Sequence, residues 1–474
     1  MITRLLILIA AVSILDVAAD EKDEVLGYLD RQGFENAELA GKIWDYAELG
    51  YLETQSSALL QSKLVEAGFE VTRGVAGLPT AFMASFGEGE PVVGILAEFD
   101  ALPGISQSTS PVRDILEGQP NGHACGHHLF GTGSVAAALA LKHWMEVENV
   151  KGTVRLYGTP AEEGGSGKVY MVRAGLFKDV DTVLHWHPSN RNAANPATSL
   201  ANKSTRFSFK GVSSHAAAAP ERGRSALDAV EVMNYMINMM REHVPQETRI
   251  HYVITKGGEA PNVVPDLAEV YYYVRHPDAR KLLQIWDRVM TVAEAAAMGT
   301  GTQVEVETMH GNHSLLPNES LAQVMYKNLE RVGGYSYSEE EQVFAQTINQ
   351  SFGLEESYLG MESKVLPFEM VHGKGSTDVG DVSWVVPTTG LRTATWVPGT
   401  TAHSWQAIAA GGTSIGFKGM QVAAKTLALT AMDLFRNMEL IDMAKKELLE
   451  RRGKDFQYKA LLGDREPPLD YRLP

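Results

Sequence analysis

The sequence predicts an α/β protein in which a sheet delivers polar residues at its strand ends and an inserted unit of βαββαβ order interrupts it. Three observations carry this reading. Val92–Ala97, Thr153–Tyr157 and Thr182–Leu184 are short, β-branched or apolar runs. Each leads into a polar cluster: Glu98-Phe99-Asp100, Pro160-Ala161-Glu162-Glu163-Gly164-Gly165 and His185-Trp186-His187-Pro188. Residues 204–313 carry their own series of strand and helix signals. At 474 residues the chain exceeds what one core usually supports, so two domains are expected.

Taken in order, the chain begins with Arg4 and an uncharged apolar run from Leu5 to Leu15, followed by Val17-Ala18-Ala19. The run is too short to span a bilayer, and residues 1–19 read as a secretory signal cut near Asp20. The mature protein is then periplasmic in a bacterium, or secreted, and carries no membrane span. Cys125 is the only cysteine, so an intramolecular disulfide is excluded and stability rests on the core.

His123-Ala124-Cys125-Gly126-His127-His128 sets a thiol among imidazoles on one short turn, ahead of a helix predicted from about Thr132. Neutral imidazole and thiolate are the ligands that zinc and its borderline-soft neighbours favour. A lone cysteine would read as a small core residue; three histidines crowd this one. Open α/β sheets place ligands at the carboxyl ends of their strands, so the strand-end clusters and the Cys125 turn are expected to converge. Any one of them alone also reads as a solvated loop acid or a surface histidine.

The inserted unit is predicted as strand Thr205–Phe209, helix Ser225–His243, strands His251–Thr255 and Ala268–Val274, helix Ala279–Met298 and strand Gln303–Glu307. In its first helix Ala226, Ala229, Val230, Met233, Ile237 and Met240 recur at three- and four-residue steps, so its methionines are core. The first domain resumes near Ser314 and runs to a polar, Pro-containing tail after about Lys454, read as an irregular extension. Within residues 334–373, Glu339-Glu340-Glu341 lead a helix and read as acids solvated at the positive end of its dipole. A net charge of −16 with no basic stripe argues against nucleic-acid binding.

Five motifs, in order along nearly the whole mature chain, carry a resemblance: Gly122-His123-Ala124-Cys125-Gly126-His127, Gly158-Thr159-Pro160-Ala161-Glu162-Glu163-Gly164-Gly165-Ser166-Gly167-Lys168, Asn262-Val263-Val264-Pro265, Ser376-Thr377-Asp378-Val379-Gly380-Asp381-Val382-Ser383-Trp384 and His403-Ser404-Trp405-Gln406. The sequence resembles the aminoacylase and carboxypeptidase family of two-metal amidohydrolases, in the branch acting on p-aminobenzoyl-glutamate and indole-acetyl amino acids. The resemblance implies a mixed-sheet, metallopeptidase-like catalytic domain (residues 20–203 and 314–474) with a ferredoxin-like lid and dimerisation domain (204–313) that forms a homodimer. It also implies two divalent metal ions, zinc or manganese, with cobalt another possibility. Cys125, His127, Glu163, His187 and His403 match the metal ligands and Glu162 the general base. His215 matches a histidine that reaches the other subunit's site to stabilise an oxyanion, and Asn262 has a similar role.

Arg275, at the end of Tyr271-Tyr272-Tyr273-Val274, matches an arginine that meets a substrate carboxylate; read without the family it is a strand-end ion pair. The family's wider pattern has a histidine near Glu98, so Glu98 is left out of the ligand set. Asp100 reads as a partner of a ligating imidazole, or as an ordinary strand-end acid. The expected activity is hydrolysis of the amide of a small N-acyl amino acid, with an aroyl group, such as p-aminobenzoyl-glutamate. A dipeptidase or aminoacylase would use the same residues. A non-catalytic protein that keeps the metal is the rival of another class, against which the intact Glu162 stands.

Overall fold

The computed structural model describes residues 21–353 and 357–473, so the signal read at residues 1–19 lies outside the described residues. The first strands are β1 (Glu70–Arg73), β2 (Phe82–Glu88), β3 (Val92–Ala97), β4 (Gly152–Gly158) and β5 (Thr182–Ser189). A short β6 (Ala197–Thr198) precedes β7 (Ala201–Lys210), β8 (Arg249–Lys256), β9 (Leu267–His276) and β10 (Gln303–Asn312). A short β11 (Val371–His372) and β12 (Thr388–Ala394) complete the set.

One sheet has the order β1-β2-β4-β3-β5-β12. It is mixed, as expected: β1, β2 and β4 pair antiparallel, while β4, β3, β5 and β12 run parallel. Every residue of β3 is buried, which its unbroken apolar run Val-Val-Gly-Ile-Leu-Ala allows. The parallel strands therefore point their carboxyl ends to one edge, where Glu98 and Glu162 follow β3 and β4.

Two local expectations are corrected. The helix after the Cys125 turn spans His127–Val147 and does not wait for Thr132. Gly126 caps it at φ 77°, and a Cβ there would lie 2.7 Å from Pro188, so only glycine permits so abrupt an entry. Strand β5 continues through Ser189, because its parallel pairing with β12 extends from Val183 to Ser189. His185 and His187 are thus strand residues sharing one face, with the fully buried Trp186 on the other.

The second sheet, β10-β7-β9-β8, is antiparallel throughout, and the chain passes through it in βαββαβ order. Helices Ala226–Met240 and Ala279–Thr300 pack on one face, around Phe207, Phe209, Met233, Tyr272 and Trp286. Met233 and Met240 belong to that apolar cluster, as their periodicity requires.

Helix Glu339–Gln350 begins with a capping box in which Ser338 and Glu341 satisfy each other's backbone. Glu339 and Glu340 are exposed, as read, but Glu341 is not solvated: it is buried and accepts from Lys418 Nζ and Ser414 Oγ, both at 2.6 Å. After helix Met438–Arg452 the described chain has neither helix nor strand, yet it is packed. Ala460, Leu461 and Leu462 are buried, and Tyr458 donates to Asp381 at 2.7 Å. Among the described residues no helix is long and apolar enough to cross a membrane.

Candidate active site

The turn 123–128, the segments after β3 and β4, the end of β5 and a loop near residue 403 meet at the carboxyl edge of the mixed sheet. Potential ligand atoms of Cys125, His127 and His187 lie within 4.8 Å of one another, and so do those of Cys125, Glu163 and His403. The two triads share the Cys125 thiol, so the five residues expected to bind metal surround two adjacent positions. Cys125 Sγ is 3.5 Å from His187 Nε2.

The donor set fits divalent cations. Glu98 Oε2, His127 Nε2 and Glu163 Oε1 are buried without a hydrogen-bond partner. His127 Nε2 nevertheless lies 3.1 Å from Glu98 Oε2, and His403 Nε2 3.2 Å from Glu163 Oε1. Lone pairs crowded together in this way are what a cation would satisfy. The opposite ring nitrogens are anchored: His127 Nδ1 lies 2.9 Å from Asp100 Oδ1 and His187 Nδ1 2.7 Å from the Pro188 carbonyl. Asp100 also accepts the Glu163 backbone N–H at 2.9 Å, so it orients two of these residues at once.

The backbone is held under strain at the same place. Ala161, Ser166 and His403 have φ of 56°, 61° and 61°, the left-handed region that side chains disfavour. Buried Glu53 fixes Ala161 by accepting its N–H at 2.8 Å, and the His403 N–H donates to the Ala124 carbonyl at 2.9 Å.

Electrostatics separate the roles. Burial, reinforced by Glu98, Glu163 and Asp378, holds Glu162 well above the usual carboxylate range. Burial, with Arg392 and His127, keeps His187 well below the usual imidazole range and therefore neutral. Burial opposes charge on His127, but Cys125, Asp100 and Glu98 together raise it well above normal. Contact with the Cys125 thiol, and then with the Glu163 carboxylate, lifts His403 to about 10.

A cavity of about 530 Å³ opens over Glu162, Glu163 and His403, and Arg275 faces it from β9. Arg275 lies over Tyr273, 5.3 Å from the ring centroid, with its Nε buried and unpartnered. No acid pairs with it among the described residues, so it is not the ion-paired strand end of the alternative reading. His215 and Asn262 lie elsewhere. His215 and Asn262 are both exposed, Ala216 N–H donates to the Asn262 carbonyl at 3.0 Å, and neither His215 nor Asn262 lines this cavity.

Glu98, left out of the ligand set on the sequence, sits with His127 and Glu162 as a third group of potential ligands. Other site residues escaped the sequence reading. Lys168, fully buried, bridges Glu98 and Asp378 at 2.7 Å each. The tail supplies Tyr471 and Arg472, which donate to the Glu163 carbonyl at 3.2 and 2.5 Å.

Residues 94–365 match Peptidase family M20/M25/M40. The chain is 41% identical over 446 residues to a subunit of p-aminobenzoyl-glutamate hydrolase from Escherichia coli, covering 88% of this chain and 92% of that protein. It is 31% identical over 444 residues to Xaa-Arg dipeptidase of Mus musculus, covering 90% of each. Among solved structures, an aminobenzoyl-glutamate utilization protein from Klebsiella pneumoniae superposes with a TM-score of 0.60 at 18% identity, over 86% of this chain and 97% of that one. A dinuclear metal-binding peptidase of the M20 family from Bacillus subtilis gives 0.58 at 19% identity, over 86% and 99%. The match to the family over more than half its length, joined to full-length relatives above 30% identity, shows that this chain belongs to peptidase family M20/M25/M40 and is a metal-dependent hydrolase of amide bonds.

Proposed function

We propose that the protein hydrolyses the amide of an N-aroyl amino acid such as p-aminobenzoyl-glutamate. The observation that carries this is Arg275, without an acidic partner and facing Glu162, Glu163 and His403 across one cavity, where it can receive the carboxylate of the amino-acid half. Cys125, His127 and His187 would hold one divalent metal, and Cys125, Glu163 and His403 a second; zinc, manganese or cobalt suits such donors. Metals bound there supply a polarised amide carbonyl and a water of lowered pKa. Glu162, whose burial favours proton uptake, takes the proton from the attacking water and returns it to the leaving amine.

Residues 20–203 and 314–474 form the catalytic domain in this reading, and 204–313 a ferredoxin-like lid that also makes the dimer. Supporting it, β8 is a sheet edge with Val253 and Ile254 exposed, and the neighbouring helix exposes Tyr235 and Met239. His215 and Asn262, away from their own cavity, would serve the partner's site as oxyanion donors. A mixture of His215→Ala and Glu162→Gln subunits should then regain activity, because one composite site has a working base and a working donor. Heterodimers that form and stay inactive would assign His215 to its own subunit or to no role. The leader read at residues 1–19 would send the protein to the periplasm or outside the cell.

The substrate reading is tested on N-aroyl-glutamate, N-aroyl-aspartate and the aroyl amide lacking an α-carboxylate. The first two should be cleaved far faster, and Arg275→Ala should lower kcat/KM chiefly for them, by about 30-fold or more if the lost partner costs 2–5 kcal/mol. Equal rates would defeat the idea. Dipeptides belong in the same panel, since the mouse relative is a dipeptidase by name.

A further inference from the structure

The cavity facing the metal ligands holds more positive charge than one α-carboxylate requires. Strand register explains how it gathers. In the antiparallel pair β7/β9, Asn202 stands opposite Arg275, Ser204 opposite Tyr273 and Arg206 opposite Tyr271, so these alternate residues share one face. The intervening residues, Phe207, Tyr272 and Val274, pack in the apolar cluster under the helices. Arg206 lies over Tyr271 at 5.6 Å, as Arg275 lies over Tyr273, and the two tyrosine hydroxyls are 3.3 Å apart. From the tail Arg472 joins the same cavity, lying over Tyr471 at 4.7 Å from the ring centroid.

All three guanidinium groups line the cavity, and the Nε atoms of Arg206, Arg275 and Arg472 are all buried without a hydrogen-bond partner. None of the three has an acidic side chain within ion-pair distance among the described residues. Buried donors left open on three cations around one cavity mark an anion site, and guanidinium groups held over aromatic rings are restrained for gripping carboxylates.

We propose that Arg206 and Arg472 form a second carboxylate subsite beside Arg275, selecting amino acids with an acidic side chain over neutral or basic ones. This rests on the amidohydrolase reading above, with Arg275 on the α-carboxylate. It gives the irregular tail a function: residues 471–472 bring a specificity-determining charge to a site built mostly by other segments. It also separates this chain from a relative whose name specifies arginine, since three guanidinium groups without acidic partners repel an arginine side chain.

The test compares N-benzoyl-glutamate with its uncharged isostere N-benzoyl-glutamine and with N-benzoyl-arginine, on the metal-loaded full-length enzyme. Wild type should prefer glutamate over glutamine by at least about tenfold in kcat/KM, the size of one modest charged contact. Arg206→Gln and Arg472→Gln should each pull that ratio toward one, and Arg206→Lys should retain part of it. Two substitutions on different segments keep the test open if either impairs folding. A wild-type ratio near one, or a ratio unchanged in both variants while both rates fall together, would overturn the subsite and leave the arginines as ballast for the buried acids. If no compound is cleaved, the substrate reading fails; calorimetric titration of the same ligands still decides the subsite. Tighter binding of the glutamate compound, lost in the variants, supports it, and equal affinities sink it.

Discussion

Glu162→Gln should lower kcat by about 10²–10⁴-fold, the range a positioned proton-transfer group usually supplies, while bound metal stays at its wild-type level. The glutamine keeps the shape of the side chain and removes its ability to carry a proton between water and amine. Glu162 suits that task because burial and the charges of Glu98, Glu163 and Asp378 raise its proton affinity well above that of an exposed carboxylate. The decisive comparison is metal content against turnover in one preparation. Glu162 also lies within ligand spacing of Glu98 and His127, so loss of metal from a folded variant would make it a ligand and hand the base role to another carboxylate.

How much of this site could be read in advance depended on distance along the chain. The Cys125 turn was legible because Cys125 and His127 lie two residues apart, and Glu162 and Glu163 because they follow a strand directly. Their convergence followed from the rule that parallel strands present ligands at one edge. Asp100 was legible as a strand-end acid, but only the fold shows that it touches both His127 and the Glu163 backbone. Lys168 and Asp378 are 210 residues apart, and nothing local marks either as buried, since lysine and aspartate normally read as surface. Arg206 left a faint signal: the alternation Asn202, Ser204, Arg206 is polar on the face opposite Phe207. The tail left none, because a segment without periodicity gives no hint of what it packs against.

The buried ion group carries the largest expected stability effect. Lys168→Met should cost about 3–5 kcal/mol, because it leaves Glu98 and Asp378 in the interior with no cation between them. That is a large part of what holds most domains folded. The loss should depend on pH in a defined direction. Burial already raises both carboxyls above their ordinary range, and Lys168 is the first influence that opposes it; without the ammonium they rise further. A carboxyl that binds its proton more tightly when folded than unfolded destabilises the fold progressively as pH rises from the unfolded value, near 4, through the folded one. The deficit relative to wild type should therefore be larger at about pH 8 than at about pH 5, in urea titrations of metal-free protein where added cations cannot substitute for the lysine. Asp378→Asn placed on Lys168→Met should recover part of the loss, since it removes one buried charge and keeps an acceptor for the backbone N–H of residue 168 that now bonds Asp378 at 2.9 Å. A single variant within about 1 kcal/mol of wild type at both pH values, a threshold set by the roughly 0.5–3 kcal/mol of ordinary substitutions, would show that the two acids share a proton or reach water and do not depend on Lys168.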